Sequence, residues 1–347
     1  MSSSCKKLLY SFITGAAFLA LSNITACFAS DPDPLQILRS ACDNQPSPYR
    51  GRVVSIVKDK NRTRVSETTV LFKSFNCFRR EFFDANGKLE KIVASDGETE
   101  DIYFPGQKTV WQGEAGKIRD KIMNPDDEWK LVSKNYNLQL KGSDRVAGRP
   151  VWIVRLVPAL PGKPEIVYEI DKQEPVILQT KQFDPEGEIV TRSYFTDIDF
   201  TAETSVGDKD VFRVKASSGV AVKQHGLDPD FLSMKELNNS GVNLPHIPET
   251  LPQGFEFESG NSFKVKGSYI THIRYTDGIV VLSLFEGTAP IISSDKDFTW
   301  GHESWNPAKT GFAGGEQVLS WKSGNRNLVL VGCLSKESLS RIAKSIR

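Results

Sequence analysis

Short runs of alternating apolar and polar residues dominate the chain from residue 49 to residue 200. Turn-forming segments such as Asp84-Ala85-Asn86-Gly87 and Pro105-Gly106 separate the runs. This pattern predicts short strands joined by hairpins, which form an antiparallel sheet. Two predicted helices, 34–41 and 128–138, accompany the strands. The predicted strands are 51–57, 64–72, 75–83, 89–94, 98–104, 109–111, 151–157, 165–170, 176–183 and 189–200. We therefore expect a mainly β fold, with one large curved antiparallel sheet or open barrel.

The pattern changes after residue 215. Residues 216–250 are rich in glycine and proline and show little periodicity, which is typical of a linker. Strands return at 255–257, 269–275, 279–285, 317–321 and 328–333. Ser335 then caps a helix with Leu339, Ile342, Ala343 and Ile346 on one apolar face. The predicted organisation is a domain at 30–215, a linker at 216–250 and a smaller α+β domain at 251–347.

The N-terminus has the layout of a signal peptide over residues 1–29. Lys6 and Lys7 precede an apolar run at 8–21, and small residues follow up to Ala29. The run is shorter than the ~20 apolar residues of a membrane span. Cleavage before Ser30 releases a free chain, whereas a lipobox at 24–27 leaves Cys27 lipidated. Both readings predict export to the periplasm.

Composition narrows the range of functions. The 347 residues carry 44 Lys and Arg against 43 Asp and Glu, a net charge of +1 that argues against a nucleic-acid binder. Four histidines and three methionines argue against a histidine-rich metal site or a methionine-rich groove. No hydrolase, zinc-protease, Walker or dinucleotide-binding motif occurs in a suitable context. We predict neither an enzyme nor a cofactor or metal site.

The cysteines allow one disulfide hypothesis. Cys42 follows the first predicted helix and Cys77 lies on an early strand, so a Cys42–Cys77 disulfide is geometrically conceivable in an oxidising compartment. Cys333 ends an apolar strand and is expected to be a buried small hydrophobe. The spacings match neither a zinc site nor a redox motif.

Large aromatic residues mark a candidate ligand cleft. They build the core in the simplest interpretation, but a single sheet with few helices leaves part of one face open. An open apolar face suits an acyl chain or an apolar peptide. The candidate cleft residues are Phe72, Phe75, Phe78, Phe82, Tyr103, Trp111 and Trp152.

Several segments resemble the MucB/RseB family. The stretch Glu-Ile-Val-Tyr-Glu-Ile-Asp at 165–171 leads a series that extends over both predicted domains. The other similar segments are 49–51, 144–150, 175–180, 183–190, 195–198, 251–255, 275–279, 283–285 and 331–346. These motifs are structural rather than catalytic, and their order along the chain carries the resemblance.

The resemblance implies a periplasmic regulator of an envelope-stress sigma factor. Its large domain would be a LolA-like open half-barrel with helices. The implied partner is the periplasmic segment of a transmembrane anti-sigma factor of the RseA/MucA type, which the regulator shields from proteolysis. Lipopolysaccharide or another lipid-like signal would release it. A periplasmic lipid or lipoprotein carrier is the alternative, and the sequence leaves homo-oligomer formation open.

Overall fold

Strands make up most of the computed structural model, which describes residues 32–59, 62–115, 123–201, 209–224, 232–239, 248–265, 267–292, 301–302, 309–313 and 316–346. The predicted signal peptide and Cys27 lie outside these ranges. No helix within them is long and apolar enough to cross a membrane.

The first sheet has twelve strands in the order β12-β6-β5-β4-β3-β2-β1-β11-β10-β9-β8-β7. Its strands are β1 Tyr49–Asp59, β2 Arg62–Ser74, β3 Cys77–Phe83, β4 Leu89–Asp96, β5 Thr99–Phe104, β6 Thr109–Glu114, β7 Tyr136–Val146, β8 Arg149–Pro158, β9 Glu165–Asp171, β10 Ile177–Phe183, β11 Ile189–Asp199 and β12 Ala221–Gln224. All neighbours pair antiparallel except β12, which runs parallel to β6. Hairpin connections produce this order, so the predicted large antiparallel sheet is confirmed.

Two capped helices accompany the first sheet. Helix α1, Pro34–Asp43, begins after Asp33, and α2, Pro125–Asn135, begins after Asn124; each cap side chain accepts a backbone N–H. Proline occupies the first turn of both helices, where no hydrogen bond is lost. The predicted helix 128–138 is wrong at its end, because Tyr136 starts strand β7 and pairs with β8.

The second sheet has eight strands in the order β13-β14-β15-β16-β20-β19-β18-β17. Its strands are β13 Thr250–Leu251, β14 Phe255–Val265, β15 Ser268–Thr276, β16 Val281–Gly287, β17 Gly301–His302, β18 Lys309–Ala313, β19 Glu316–Ser323 and β20 Arg326–Gly332. Helix α4, Lys336–Ser345, packs its apolar face on this sheet and completes one hydrophobic core. The smaller α+β unit is thereby confirmed.

The predicted linker contains two elements that contact opposite sheets. Strand β12 extends the edge of the first sheet, while helix α3, Met234–Asn239, packs against β14 of the second. Leu237 of α3 is fully buried in the second core. The domain boundaries proposed above stay a prediction.

Candidate functional site

The inner face of the first sheet is the face that carries α1. Helix α1 places Leu38 in a core with Val154, Leu156 and Ile166 of β8 and β9. Strand register then assigns the rest of this face, because directly paired residues point to the same side. We call the part formed by β2–β6 and β12 the wing.

The register brings four predicted cleft residues together on the inner face of the wing. Phe72 on β2 lies opposite Phe78 on β3. Phe82 lies four residues after Phe78 on the same face of β3, and Trp111 lies on β6. Phe72 is buried and stacks on Tyr49 with ring centroids 5.0 Å apart, whereas Phe78, Phe82 and Trp111 are half-buried. These three rings give the wing an accessible aromatic surface.

The other three predicted residues lie elsewhere. Phe75 is in the β2–β3 turn, edge-on to Phe72 at 6.0 Å. Trp152 lies on β8, remote from the wing, with Lys172 Nζ 3.6 Å from its ring centroid. Placing Tyr103 in the same cleft was wrong: it pairs with Ile92 and Val110 on the opposite, outer face. The pairing register of β5 with β4 places the Tyr103 side chain on the outer face.

Tyr103 instead lines a separate cavity of about 400 Å³ on the outer face. Residues 210–217 cover this cavity, and Arg79 and Ile92 also line it. Arg213 Nε donates to buried Asp101 at 2.8 Å, which anchors the covering segment. The cationic groups around this cavity already have carboxylate or carbonyl partners.

Basic side chains accompany the aromatic residues of the wing. Arg80 lies over the Phe78 ring at 4.9 Å, Lys91 over Phe82 at 4.4 Å and Lys223 over Trp111 at 5.0 Å. The charged residues 79–81 do not lie on one face of β3. Alternation along β3 could have separated them, because Arg80 shares its face with Phe78 and Phe82 while Arg79 pairs with Glu81 on the other face.

Charge on the inner face of the wing is mostly of one sign. Glu100 is the single acidic residue that the register places on this face of the wing, within the described residues. The basic residues on the face are Arg62, Arg64, Arg80, Lys91 and Lys223. Aromatic rings beneath cations suit an amphiphile that combines an apolar chain with an anionic group.

A closed polar cluster connects the two sheets, and we call it the joint: Asn135, Tyr136, Lys163, Gly254 and Asp277. Lys163 Nζ lies 2.7 Å from Asp277 Oδ2, and both side chains are fully buried. Tyr136 OH donates to the same oxygen at 2.9 Å. Asn135 Nδ2 donates to the carbonyl oxygens of Gly254 and Asp277 at 3.2 and 3.0 Å.

Hydrogen bonds from the backbone complete the contacts of Asp277 in the joint. Its Oδ1 accepts the backbone N–H groups of Ile279 and Val280 at 3.0 and 2.8 Å. Burial, with the adjacent Asp277 carboxylate, raises the pKa of Tyr136 well above its usual value, so this phenol stays a hydrogen-bond donor. Each polar group contributes to a network that fixes α2 and β7 against the β15–β16 turn.

Comparison with known proteins matches the middle of the chain to one family. Residues 79–217 match the family described as the MucB/RseB N-terminal domain. This match places the region 79–217 in the MucB/RseB family. The sigma-E factor regulatory protein RseB of Haemophilus influenzae is 21% identical to it over 271 residues, which cover 76% of this chain and 78% of that protein.

Two solved structures share the fold of this chain. A crystal structure of MucB in complex with MucA(peri) has a TM-score of 0.57 at 18% identity, covering 91% of this chain and 97% of that chain. The Pseudomonas aeruginosa MucA/MucB complex has a TM-score of 0.58 at 18% identity, covering 90% and 96%. Both matches extend over the two sheets.

The described cysteines are thiols, and the Cys42–Cys77 disulfide is not formed. Cys42 lies in the last turn of α1, which packs on β7–β9. Cys77 begins β3, five strands from β9 in the sheet order. At ~4.8 Å per strand this separation far exceeds the ~7 Å limit for a disulfide. Burial raises the pKa of the Cys333 thiol to about 11, so this thiol stays protonated.

His272 on β15 contacts two side chains of the neighbouring strand β16. Its ring stacks on Phe285 at 4.3 Å, and its Nε2 lies 3.0 Å from Ser283 Oγ. Burial, with Arg274 nearby, lowers the pKa of His272 to about 4, so the ring is neutral at pH 7. No group of three or more potential metal ligands occurs in the described part of the chain.

Proposed function

We propose that this chain is a periplasmic negative regulator of an envelope-stress sigma factor. It binds the periplasmic segment of a transmembrane anti-sigma factor, shields that segment from proteolysis, and leaves it when a lipid-like signal binds. Family membership supports the regulatory role, since one relative is named a sigma-E factor regulatory protein and structures of MucB contain MucA. Residues 1–29 supply the export signal.

The wing is the observation that supports a lipid-like signal. Half-buried Phe78, Phe82 and Trp111 offer apolar surface to an acyl chain, and Arg80 and Lys91 lie within reach of an anionic headgroup. Lipopolysaccharide combines both features. Such a ligand releases the partner if it binds the partner-free state more tightly than the complex.

A periplasmic carrier of lipids or lipoproteins is the second candidate. The same inner face favours it, because a carrier also needs an apolar surface open to an acyl chain. The two functions differ in the protein partner: a regulator binds the anti-sigma segment and loses it to the amphiphile, whereas a carrier holds lipid and ignores that segment.

Native mass spectrometry of the full chain purified from the envelope tests the proposal. The protein is measured alone, with the periplasmic segment of a transmembrane anti-sigma factor from the same organism, and with that segment plus lipid A. We expect a complex with the segment that lipid A dissociates. Retained lipid with no affinity for the segment would support the carrier and reject the regulator.

Protease protection tests the shielding step separately. The anti-sigma segment is exposed to its site-1 protease with and without the chain at a concentration that saturates binding. We expect slower cleavage in the complex and restored cleavage after lipid A is added. Equal cleavage rates in all three samples would reject shielding while leaving binding itself intact.

A further inference from the structure

The segment that connects the two sheets is attached to the wing at two places. Residues 210–217, which we call the strap, lie on the outer face, and β12 pairs with β6 at the sheet edge. Residues 225–231 alone then separate β12 from Leu232, whose backbone pairs with Gly260 on β14 of the second sheet. The contacts that hold β12 therefore also fix the point from which the chain leaves for the second sheet.

Buried contacts hold the strap. Asp101 is fully buried and accepts both Arg213 Nε and the backbone N–H of Val214 at 2.8 Å. Arg79 donates to two carbonyl oxygens of the strap at 3.3 and 3.1 Å. Phe212 is fully buried. Arg213 is thus the charged anchor that fixes the strap, and through it the start of β12.

Strand β12 is held less firmly than the strap. It has four residues, all of them exposed, and it pairs parallel to a single neighbour, β6. Parallel pairing is slightly less stable per residue than antiparallel pairing. A short edge strand without a buried side chain opens more easily than the strands of a core. Within the described part of the wing, β12 is therefore the strand whose attachment a ligand can change most.

Lys223 of β12 ends a row of paired residues on the inner face. The row crosses five strands in the order Arg80, Val93, Ile102, Trp111, Lys223. Its three middle side chains are apolar and half-buried, and a cation lies over an aromatic ring at each end. At ~4.8 Å per strand the row is ~19 Å long. An amphiphile along this row would place its apolar chain on the middle and its anionic group beside Lys223.

We propose that an anionic amphiphile on the inner face of the wing fastens β12 to the sheet edge through Lys223. The site is then composite, because the sheet supplies the apolar row and the connecting segment supplies the cation. The inference rests on the proposed lipid-like signal and adds the route by which that signal reaches the connecting segment. A ligand that prefers the attached form stabilises attachment, and by linkage a change that detaches β12 weakens the ligand by the same factor.

Hydrogen exchange of the full chain tests the inference directly. Mass spectrometry follows amide exchange in residues 218–224 with and without saturating lysophosphatidic acid in low salt. We expect the ligand to slow exchange in β12 roughly threefold, the value of one exposed cation contact. Lys223→Gln should bind the ligand roughly threefold more weakly, and saturating ligand should no longer slow exchange in this variant. Saturated binding by the wild type, measured by calorimetry, with unchanged exchange in β12 would overturn the inference.

A double-variant cycle separates coupling from direct contact. Arg213→Gln frees the strap on the outer face, away from the inner-face row, and should weaken lysophosphatidic acid up to threefold. Because this loss acts through Lys223, adding Lys223→Gln should bring the total to no more than about threefold, whereas independent losses would multiply to about ninefold. Arg155→Gln, which breaks a bidentate pair with Glu165 on β8 and β9, is the matched control and should keep wild-type affinity.

The outcomes separate this inference from the proposed function. Wild-type binding with losses that multiply would reject the coupling and leave the wing as a ligand surface. A wild-type chain that does not bind lysophosphatidic acid would reject the lipid-like signal, and this inference with it, without touching the binding of the anti-sigma segment. If thermal unfolding shows that the Arg213 variant is not folded, the Lys223 variant decides: lost slowing of exchange supports the coupling, and retained slowing overturns it.

Discussion

The wing and the joint both place a lysine ammonium group near an aromatic ring. The pair is open to solvent in the wing and buried in the joint. At the joint, Lys163 is fully buried, 5.5 Å and 5.1 Å from the ring centroids of Tyr136 and Phe255, and paired with Asp277. In the wing, Lys91 lies 4.4 Å from the ring of half-buried Phe82 on an open face. Solvation rather than residue type therefore separates a structural contact from a surface suited to ligands.

The difference in solvent exposure also makes the contacts of the joint contribute more to stability than those of the wing. Removing one partner of a buried ion pair costs ~3–5 kcal/mol, because the remaining charge is left without compensation. An exposed cation–π contact contributes only ~0.5–1 kcal/mol. The wing can therefore change its contacts on ligand binding without loss of the fold, whereas the joint holds the two sheets in a fixed arrangement.

The largest loss of folding stability is expected for Asp277→Ala. This change leaves Lys163 Nζ buried without its carboxylate and removes the acceptor of Tyr136 OH and two backbone N–H groups. We expect the free energy of unfolding to fall by about 3–5 kcal/mol in urea titrations at pH 7. Asp144→Ala, at an exposed position on β7, should change it by less than about 0.5 kcal/mol. Equal effects would contradict the comparison.

A smaller loss of stability is expected for Gly278→Ala, next to Asp277 of the joint. Gly278 has φ +98°, and an added Cβ would lie 2.6 Å from Val132 N and 2.9 Å from Glu128 O, both backbone atoms. Gly87, with φ +76° and nothing within 4 Å, shares the backbone strain without the contact. Gly87→Ala should cost ~1–2 kcal/mol. Gly278→Ala should cost ~1–3 kcal/mol more, because the packed backbone must move.

Denaturant titration of both glycine variants gives the difference directly. If the two losses agree within ~0.5 kcal/mol, α2 is not held tightly against the β15–β16 turn. The joint would then be a loose contact rather than a fixed connection.

Local sequence patterns predict much of the strand order of the first sheet. They do not predict contacts between residues that are far apart in sequence. Turn residues such as Asp84-Ala85-Asn86-Gly87 mark hairpins whose strands are neighbours in sequence, so the antiparallel order follows from local chemistry. The joint depends on Lys163 and Asp277, which lie in different sheet regions, and no local signal links them. The proximity of Met123 and Met234 was missed for the same reason, because these residues meet only after folding.

Face assignments were the least predictable part of the candidate site. Phe78 and Phe82 share the inner face because both lie at even positions of β3, which alternation alone reveals. Tyr103 and Trp111 lie on different strands, so their relative side depends on the register across the turn at Pro105–Gln107. A shift of one residue moves a side chain to the opposite face, and the sequence does not specify that register.

Phe82→Ala should lower stability less than either change at the joint. Its ring is half-buried on the open face, so we expect a loss of ~1–2 kcal/mol instead of the ~3–5 kcal/mol typical of a core phenylalanine. Phe255→Ala, at a fully buried ring of the second core, provides the core reference. A Phe82 variant as unstable as the Phe255 variant would show that the wing is core rather than a ligand surface.

The smallest change in stability is expected for the double variant Arg80→Gln with Lys91→Gln. These side chains lie over wing rings at 4.9 and 4.4 Å on the open face, so the free energy of unfolding should stay within about 0.5 kcal/mol of wild type. Affinity for lysophosphatidic acid should nevertheless fall roughly tenfold in low salt, because two contacts to the phosphate are lost. Calorimetry at two salt concentrations checks this, since screening reduces the difference.

Lys141→Gln with Arg145→Gln on β7 removes the same net charge from an exposed strand outside the wing. This control should retain wild-type affinity if the position of the cations matters, and should lose affinity equally if only the total charge matters. Zwitterionic lysophosphatidylcholine, which carries the same phosphate beside a cation, should discriminate less between the two variants. A tenfold loss confined to the wing variant, without a loss of stability, would establish that the cations over the wing rings serve a ligand while the buried cation of the joint serves the fold.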